Sequence, residues 1–395
     1  MKTKDYLELE QRYGAHNYKP LDIVIERAQG VWMYDVEGKK YLDCLSAYSA
    51  INQGHCNPKI IQALKDQADK VTLASRAFRN AELGLFYKDI CELTGFDRVI
   101  VMNSGAEGVE TGIKFARKWG YERKLIENNK AEIIVCSNNF HGRTTTIVGF
   151  SSEPFYREGF GPYDGGFKTV AYGDVDAFEK AITKNTCGFL IEPIQGEGGI
   201  IIPPSGYLKQ VEAICKKNNV LLMLDEIQTG LGRTGKLFAY QYEDIVPDML
   251  ILGKALSGGV YPVSVVLTSN EVMDVIKPGH HGSTFGGNSL ACAVARAAIK
   301  VIVDDGLIDR SRMLGELALK KLKQMKSSKV KEVRGRGLLL GIELKEPARA
   351  YCEALKDRGL LCKETHSTVI RIAPPLIIEE SELLWACEQI EDVLS

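Results

Sequence analysis

Apolar residues are spaced along this chain in two alternating rhythms. Short, largely apolar runs fall at 99–102, 132–136, 188–191, 221–224 and 263–268, with another closing at Leu252, and 167–171 continues the β pattern. Each has the length of a strand buried on both faces. Between them lie stretches of helical period at 58–71, 81–93, 176–183 and 206–218, and a helix that follows residues 103–108 and runs through 118. This alternation predicts an α/β fold with a wound, mostly parallel sheet. The ends of the chain read differently. A polar helix opens the sequence, and a hairpin turns at Glu37-Gly38 within 31–43. After 289 come helices at 289–303 and 307–325, a strand pair over 330–344, a helix at 349–358, an extended run at 369–375 and a final helix from 379, an α+β lobe. No repeat, low-complexity tract or linker interrupts the pattern.

Composition narrows the function classes. A length of 395 residues predicts two or three domains. The formal charge of -1 provides no global field for nucleic acid or a membrane surface. No apolar run approaches the roughly 18 residues of a membrane span. The N-terminal Met-Lys-Thr-Lys-Asp-Tyr-Leu-Glu has neither the apolar core of a signal peptide nor the acid-poor character of a transit peptide. Ten cysteines without a C-x-x-C pair read as reduced thiols, and six histidines without H-E-x-x-H argue against a metal. The expectation is a cytoplasmic protein acting on small molecules.

The candidate chemistry sits at strand ends, where open α/β sheets bind ligands. Asp225 closes one apolar run and Lys254 follows the next, so neighbouring strands can aim a carboxylate and an amine into one site. That pair suits pyridoxal phosphate: the lysine condenses with its aldehyde and the aspartate keeps its pyridine nitrogen protonated. Singly, Asp225-Glu226 also suits a Mg²⁺-holding nucleotide strand, and a strand-end lysine is ordinarily just solvated. Asn103-Ser104-Gly105-Ala106 opens a helix after a strand, a place where N–H groups and the helix dipole favour a phosphate. Phe140 can stack on a flat ring, and Arg143 can grip a carboxylate. Two glycine patterns mislead. Gly230-Leu-Gly232-Arg-Thr-Gly235 fits G-x-G-x-x-G but neither follows its strand directly nor opens a convincing helix, and Gly235-Lys236 is followed by Leu237 where a P-loop needs Ser or Thr.

With Gly253 before Lys254 and Ser257-Gly-Gly after it, the segment resembles the signature of the class III aminotransferases, pyridoxal phosphate enzymes of fold type I. The resemblance runs nearly end to end, from His16-Asn-Tyr18 to Arg371-Ile-Ala-Pro-Pro, and is strongest to the ornithine-converting branch. It implies a large domain (51–285) around a seven-stranded sheet and a smaller α+β domain from both chain ends (1–50 and 286–395). It also implies a homodimer with active sites at the subunit interface. By motif, Lys254 is the imine lysine and proton shuttle, Asp225 pairs with the pyridinium, Gln228 meets the ring's phenolic oxygen and Phe140 stacks on the ring. Gly105 and Ala106, with Ser104 beside them, meet the phosphate, and Ser283 and Thr284 reach it from the partner subunit. Ala106 stands where some family members have Val, a change that a backbone contact survives. The implied substrates are L-ornithine and 2-oxoglutarate, held by Tyr18, Tyr48, Arg143, Glu197 and Arg371, with Glu197 pairing Arg371 while ornithine is bound. Acetylornithine or 4-aminobutyrate is the alternative amine, against which Tyr18 and Tyr48 speak. A non-catalytic relative is disfavoured by the joint presence of Asp225, Lys254, Arg143 and Arg371. An NAD(P) oxidoreductase rests only on the misleading glycines.

Overall fold

The computed structural model describes all 395 residues. Its strands are β1 (Ile25–Gln29), β2 (Trp32–Asp35), β3 (Lys40–Asp43), β4 (Arg98–Met102), β5 (Glu132–Cys136), β6 (Phe167–Val170), β7 (Thr186–Ile191) and β8 (Leu221–Asp225). They continue as β9 (Met249–Leu252), β10 (Ser264–Thr268), β11 (Val330–Arg336), β12 (Leu339–Leu344), β13 (Leu360–Leu361), β14 (Lys363–Thr365) and β15 (Val369–Ile372). The apolar runs assemble into one seven-stranded sheet in the order β4-β10-β9-β8-β7-β5-β6. Only β10 runs against its neighbours. The carboxyl ends of β4, β5, β7, β8 and β9 therefore share one edge, and each of the loops leaving them carries a candidate residue.

Why these runs are apolar throughout is visible in where successive side chains go. Leu222, Leu224, Leu250 and Leu252 enter the larger core cluster, while Leu221, Met223, Met249 and Ile251 enter the second, against the helix Gly105–Glu122. Successive strand residues face opposite sides, so a strand covered on both faces is apolar at every position. The helix Gly105–Glu122 extends a turn past the predicted end at 118. The helix Ala81–Thr94 stops at Gly95, which takes φ 78°, a left-handed conformation that glycine adopts without cost.

Both chain ends share a sheet, because β13 lies parallel to β3 in the order β1-β2-β3-β13. A second four-stranded sheet, β11-β12-β15-β14, is antiparallel. The edge strand β1 has no predicted counterpart; its sequence Ile-Glu-Arg-Ala-Gln buries no residue fully and carries no apolar run. The helix Ser289–Asp304 packs across Pro58–Ala68 and Ala81–Thr94. No helix is long and apolar enough to cross a membrane.

Candidate active site

Asp225 ends β8 buried, with both oxygens engaged. Oδ1 accepts the Ile227 N–H at 3.0 Å and Oδ2 lies 2.7 Å from Nδ1 of His141. Burial alone would lower the imidazole's pKa, but the hydrogen bond and charge of Asp225 lift it above its ordinary 6.5. His141 Nδ1–H thus donates to the carboxylate, while its buried Nε2 has no partner. Glu226, next in sequence, accepts from Thr229 Oγ1 and from the Ala239 and Tyr240 N–H groups. The two acids therefore do not converge, which removes the Mg²⁺ alternative for Asp225-Glu226. Glu192, just after β7, accepts the N–H of Phe140 at 3.0 Å and of Gly196 at 3.3 Å. Burial pushes its pKa up to about 7, against the opposing charge of His141.

Lys254 follows β9 through Gly253 and takes φ 44° at the start of the 3₁₀ turn Lys254–Ser257. Burial pulls its amine below the ordinary 10.5, with the charges of Glu197 and Asp225 offsetting part of the shift. Its side chain enters a cavity of about 150 Å³ lined also by Gly105, Ala106, Phe140, Asp225 and Gln228. At the mouth of the helix Gly105–Glu122, Ser104 Oγ is spent on the Glu107 N–H and Glu107 returns a bond to Ser104 N–H. Gly105 and Ala106 then present N–H groups that precede the helical ladder. Gln228 donates to Glu197 Oε1 at 3.2 Å, leaving its own buried Oε1 without a donor.

A second cavity of about 270 Å³ shares Phe140 and Glu197 with the first and adds Tyr18, Tyr48 and Arg143. Arg371, from the middle of β15, is only 1% exposed and lies 2.8 Å from Glu197 Oε1. None of its guanidinium nitrogens has an aligned hydrogen-bond acceptor, and the Tyr48 ring centroid lies 5.2 Å away. Burial would raise the Glu197 pKa, but the charge of Arg371 overrides it and draws it to about 2. Tyr48 is held by an uncommon backbone: Ser46, Ala47, Tyr48 and Ser49 all have φ between 46° and 71°. Left-handed residues other than glycine cost roughly 1–2 kcal/mol each. Asp43 Oδ1 offsets this by accepting the Leu45 and Ser46 N–H groups at 2.8 Å, and Ser46 Oγ donates to Ala373 O at 2.7 Å.

A family model, aminotransferase class III, matches residues 13–394. The chain belongs to the class III aminotransferases. The ornithine aminotransferase of Brevibacillus brevis is 58% identical over 393 residues, covering 100% of this chain and 98% of that one. A Toxoplasma gondii ornithine aminotransferase structure with pyridoxal phosphate at partial occupancy superposes with a TM-score of 0.98 at 43% identity, covering 100% of this chain and 94% of that one. The acetylornithine aminotransferase of Elizabethkingia anophelis gives 0.91 at 49% identity, covering 100% and 99%.

Class III aminotransferases are pyridoxal phosphate enzymes, and the first cavity has donors and acceptors for that group. It combines an amine, a carboxylate backed by the His141 imidazole, free helix N–H groups, an aromatic ring and an orphan amide oxygen. Of the class III residues predicted from sequence, Ser283 and Thr284 line neither cavity of their own chain. Ser283 Oγ accepts from Asn103 Nδ2 at 2.8 Å, and Thr284 is exposed. The misleading glycines 230–235 form turns rather than opening a helix, and Gly235 packs against the Arg312 backbone. Buried Arg233 among them ties Asn52, Leu338 O and Pro374 O together. Sequence reasoning gave no role to His141, Glu192 or Tyr156. The first two stand beside predicted residues in strand-end segments, but nothing local shows that they face Asp225 and Phe140. Tyr156 lies 16 positions past Phe140 and meets it only through the fold.

Proposed function

We propose that this chain is a cytoplasmic, homodimeric ornithine δ-aminotransferase, transferring the δ-amino group of L-ornithine to 2-oxoglutarate to give L-glutamate 5-semialdehyde and L-glutamate. The observation that carries the reading is the pair of buried Arg371 and partly exposed Glu197 beside the Lys254 cavity, with a second arginine, Arg143, in no ion pair of the chain. One site must accept an ω-amine in one half-reaction and an α-keto acid in the next. With Arg371 covered by Glu197, ornithine's α-carboxylate goes to Arg143 and its α-amino group to Tyr18, leaving the δ-amine toward Lys254. When 2-oxoglutarate arrives, Glu197 gives way, Arg371 takes the α-carboxylate and Arg143 the distal one.

Pyridoxal phosphate supplies an aldehyde for amines and a protonated ring that accepts the electron pair of a deprotonated carbon. Gly105 and Ala106 N–H groups would hold its phosphate, joined by Ser283 and Thr284 from the partner subunit. Phe140 would pack on its ring, and Gln228 would offer the phenolic oxygen the donor it now spends on Glu197. Asp225 would keep the ring nitrogen protonated, with His141 fixing that carboxylate. Lys254 Nζ would take the proton from the carbon bearing the reacting amine. Its lowered pKa leaves more of the amine neutral for that work.

Relatives named ornithine aminotransferase support this substrate, while the 49% identical acetylornithine aminotransferase keeps that amine as the competing reading. Acetylation removes the charge that Tyr18 would hold and adds bulk there. With 2-oxoglutarate as acceptor, kcat/KM should be higher for ornithine than for acetylornithine. An equal or higher value for acetylornithine would transfer the assignment.

A further inference from the structure

We propose that Tyr156 sets the preference of the active site for carboxylate-bearing amines by fixing the guanidinium of Arg143. The inference rests on the reading of Arg143 as the group that receives ornithine's carboxylate. Arg143 takes part in no ion pair, and its position is defined by rings: its guanidinium carbon lies 4.2 Å from the Tyr156 centroid and 5.7 Å from that of Phe140. The two rings meet edge-on at 74° with centroids 6.0 Å apart. All three side chains line the second cavity. A guanidinium held over an aromatic face is attracted by the ring's quadrupole and keeps its N–H edge free for a planar carboxylate.

Tyr156 is placed for this by its own short element. It lies in the one-turn helix Pro154–Arg157, with Pro154 at the first position and the Tyr156 N–H donating to Glu153 O at 3.1 Å. Its ring also abuts Phe140, whose N–H is held by Glu192. The side chain thus joins the wall of the substrate end to the residue proposed to stack on the cofactor. The tyrosine hydroxyl makes no aligned hydrogen bond to Arg143, although the two are close enough for the guanidinium to favour the phenolate. The ring face, 4.2 Å away, is the contact the geometry defines, and Tyr156→Phe separates the two. Tyr156 is a positioning residue, working through Arg143.

The test compares L-ornithine with 1,4-diaminobutane, which is ornithine without its carboxylate, on full-length holoenzyme with 2-oxoglutarate as acceptor. The readout is the ratio of kcat/KM for the two amines. In Tyr156→Leu the ratio should fall by about 2- to 30-fold, the range of a cation–π contact, because KM for ornithine rises more than KM for the diamine. Tyr156→Phe should keep the native ratio. Arg143→Ala should collapse the ratio, and adding Tyr156→Leu should then produce no further fall, the non-additivity of two groups acting as one. Should Tyr156→Leu fail to load cofactor, Tyr156→Met, similar in reach but without a ring face, reads the same ratio. A Tyr156→Leu or Tyr156→Met ratio equal to native, alongside a collapsed ratio in Arg143→Ala, overturns the role of Tyr156 and leaves Arg143 in place. A native ratio in Arg143→Ala overturns the reading of Arg143 and this inference with it.

Discussion

Removing the carboxylate of Glu197 tests the proposed switch most directly. Glu197 Oε1 lies 2.8 Å from Arg371 Nη2. At an effective dielectric constant of about 20, that separation corresponds to a gross attraction of roughly 6 kcal/mol. Burial consumes part of it. The lowering of the Glu197 pKa from 4.5 to about 2, caused first by Arg371 against burial and then by Lys254 and Gln228, sets an upper bound on what survives. At 1.36 kcal/mol per unit that is about 3 kcal/mol. In Glu197→Ala, Arg371 is left buried and unpaired, a state that typically costs roughly 3–5 kcal/mol. An α-carboxylate entering the site relieves that cost, whereas an ω-amine entering with Arg143 and Tyr18 does not. Single-turnover reactions followed by the cofactor's absorbance should show the glutamate-to-ornithine ratio of rate constants rising by about 100-fold, the equivalent of some 3 kcal/mol. Ornithine itself should begin to react at its α-amine, detectable as a second keto product. An unchanged ratio would show that Glu197 only supports its glycine-rich turn and that regioselectivity belongs to Tyr18 and Arg143.

Lys254→Ala should abolish turnover and the visible absorption of the cofactor–lysine linkage; rapid multiple turnover without added amine would remove Lys254 from its role. Burial lowers the Lys254 pKa, so its amine becomes neutral, and reactive, at lower pH than a free lysine. Reconstitution of apo-enzyme with pyridoxal phosphate should therefore speed up through an apparent pKa below 10.5; a midpoint at or above that value would contradict it. Because Ser283 and Thr284 line neither cavity of their own chain, dilution to monomers should release cofactor, with sedimentation and absorbance read together. Monomers that keep cofactor and full activity would place a complete site within one chain.

Much of this protein was legible in the order of its residues. Residues 221–224 and 249–252 are apolar at every position because both faces of β8 and β9 are covered, and such a run announces itself without any partner being known. Asp225 and Lys254 could be placed at strand ends for the same reason, and the small polar segment Asn103-Ser104-Gly105-Ala106 after an apolar run marked a helix start. These are local signals, carried by a few consecutive side chains. The edge strand β1 carried none, since solvent on one side asks for no apolar run. Non-local contacts were equally silent. Whether Asp225 and Glu226 shared a site depended on where the chain went next, and only the fold sends Glu226 to the N–H groups of Ala239 and Tyr240. His141 reaches Asp225 across 84 positions of sequence, and Glu192 reaches Phe140 across 52. The closeness of Tyr156 to Arg143 depends on how a one-turn helix folds back over the loop after β5. Strand periodicity reports which side of a sheet a residue faces, not which distant side chain will meet it there. That meeting is decided by the order of strands in the sheet and the paths of the loops at its carboxyl edge, and both are products of packing over the whole chain.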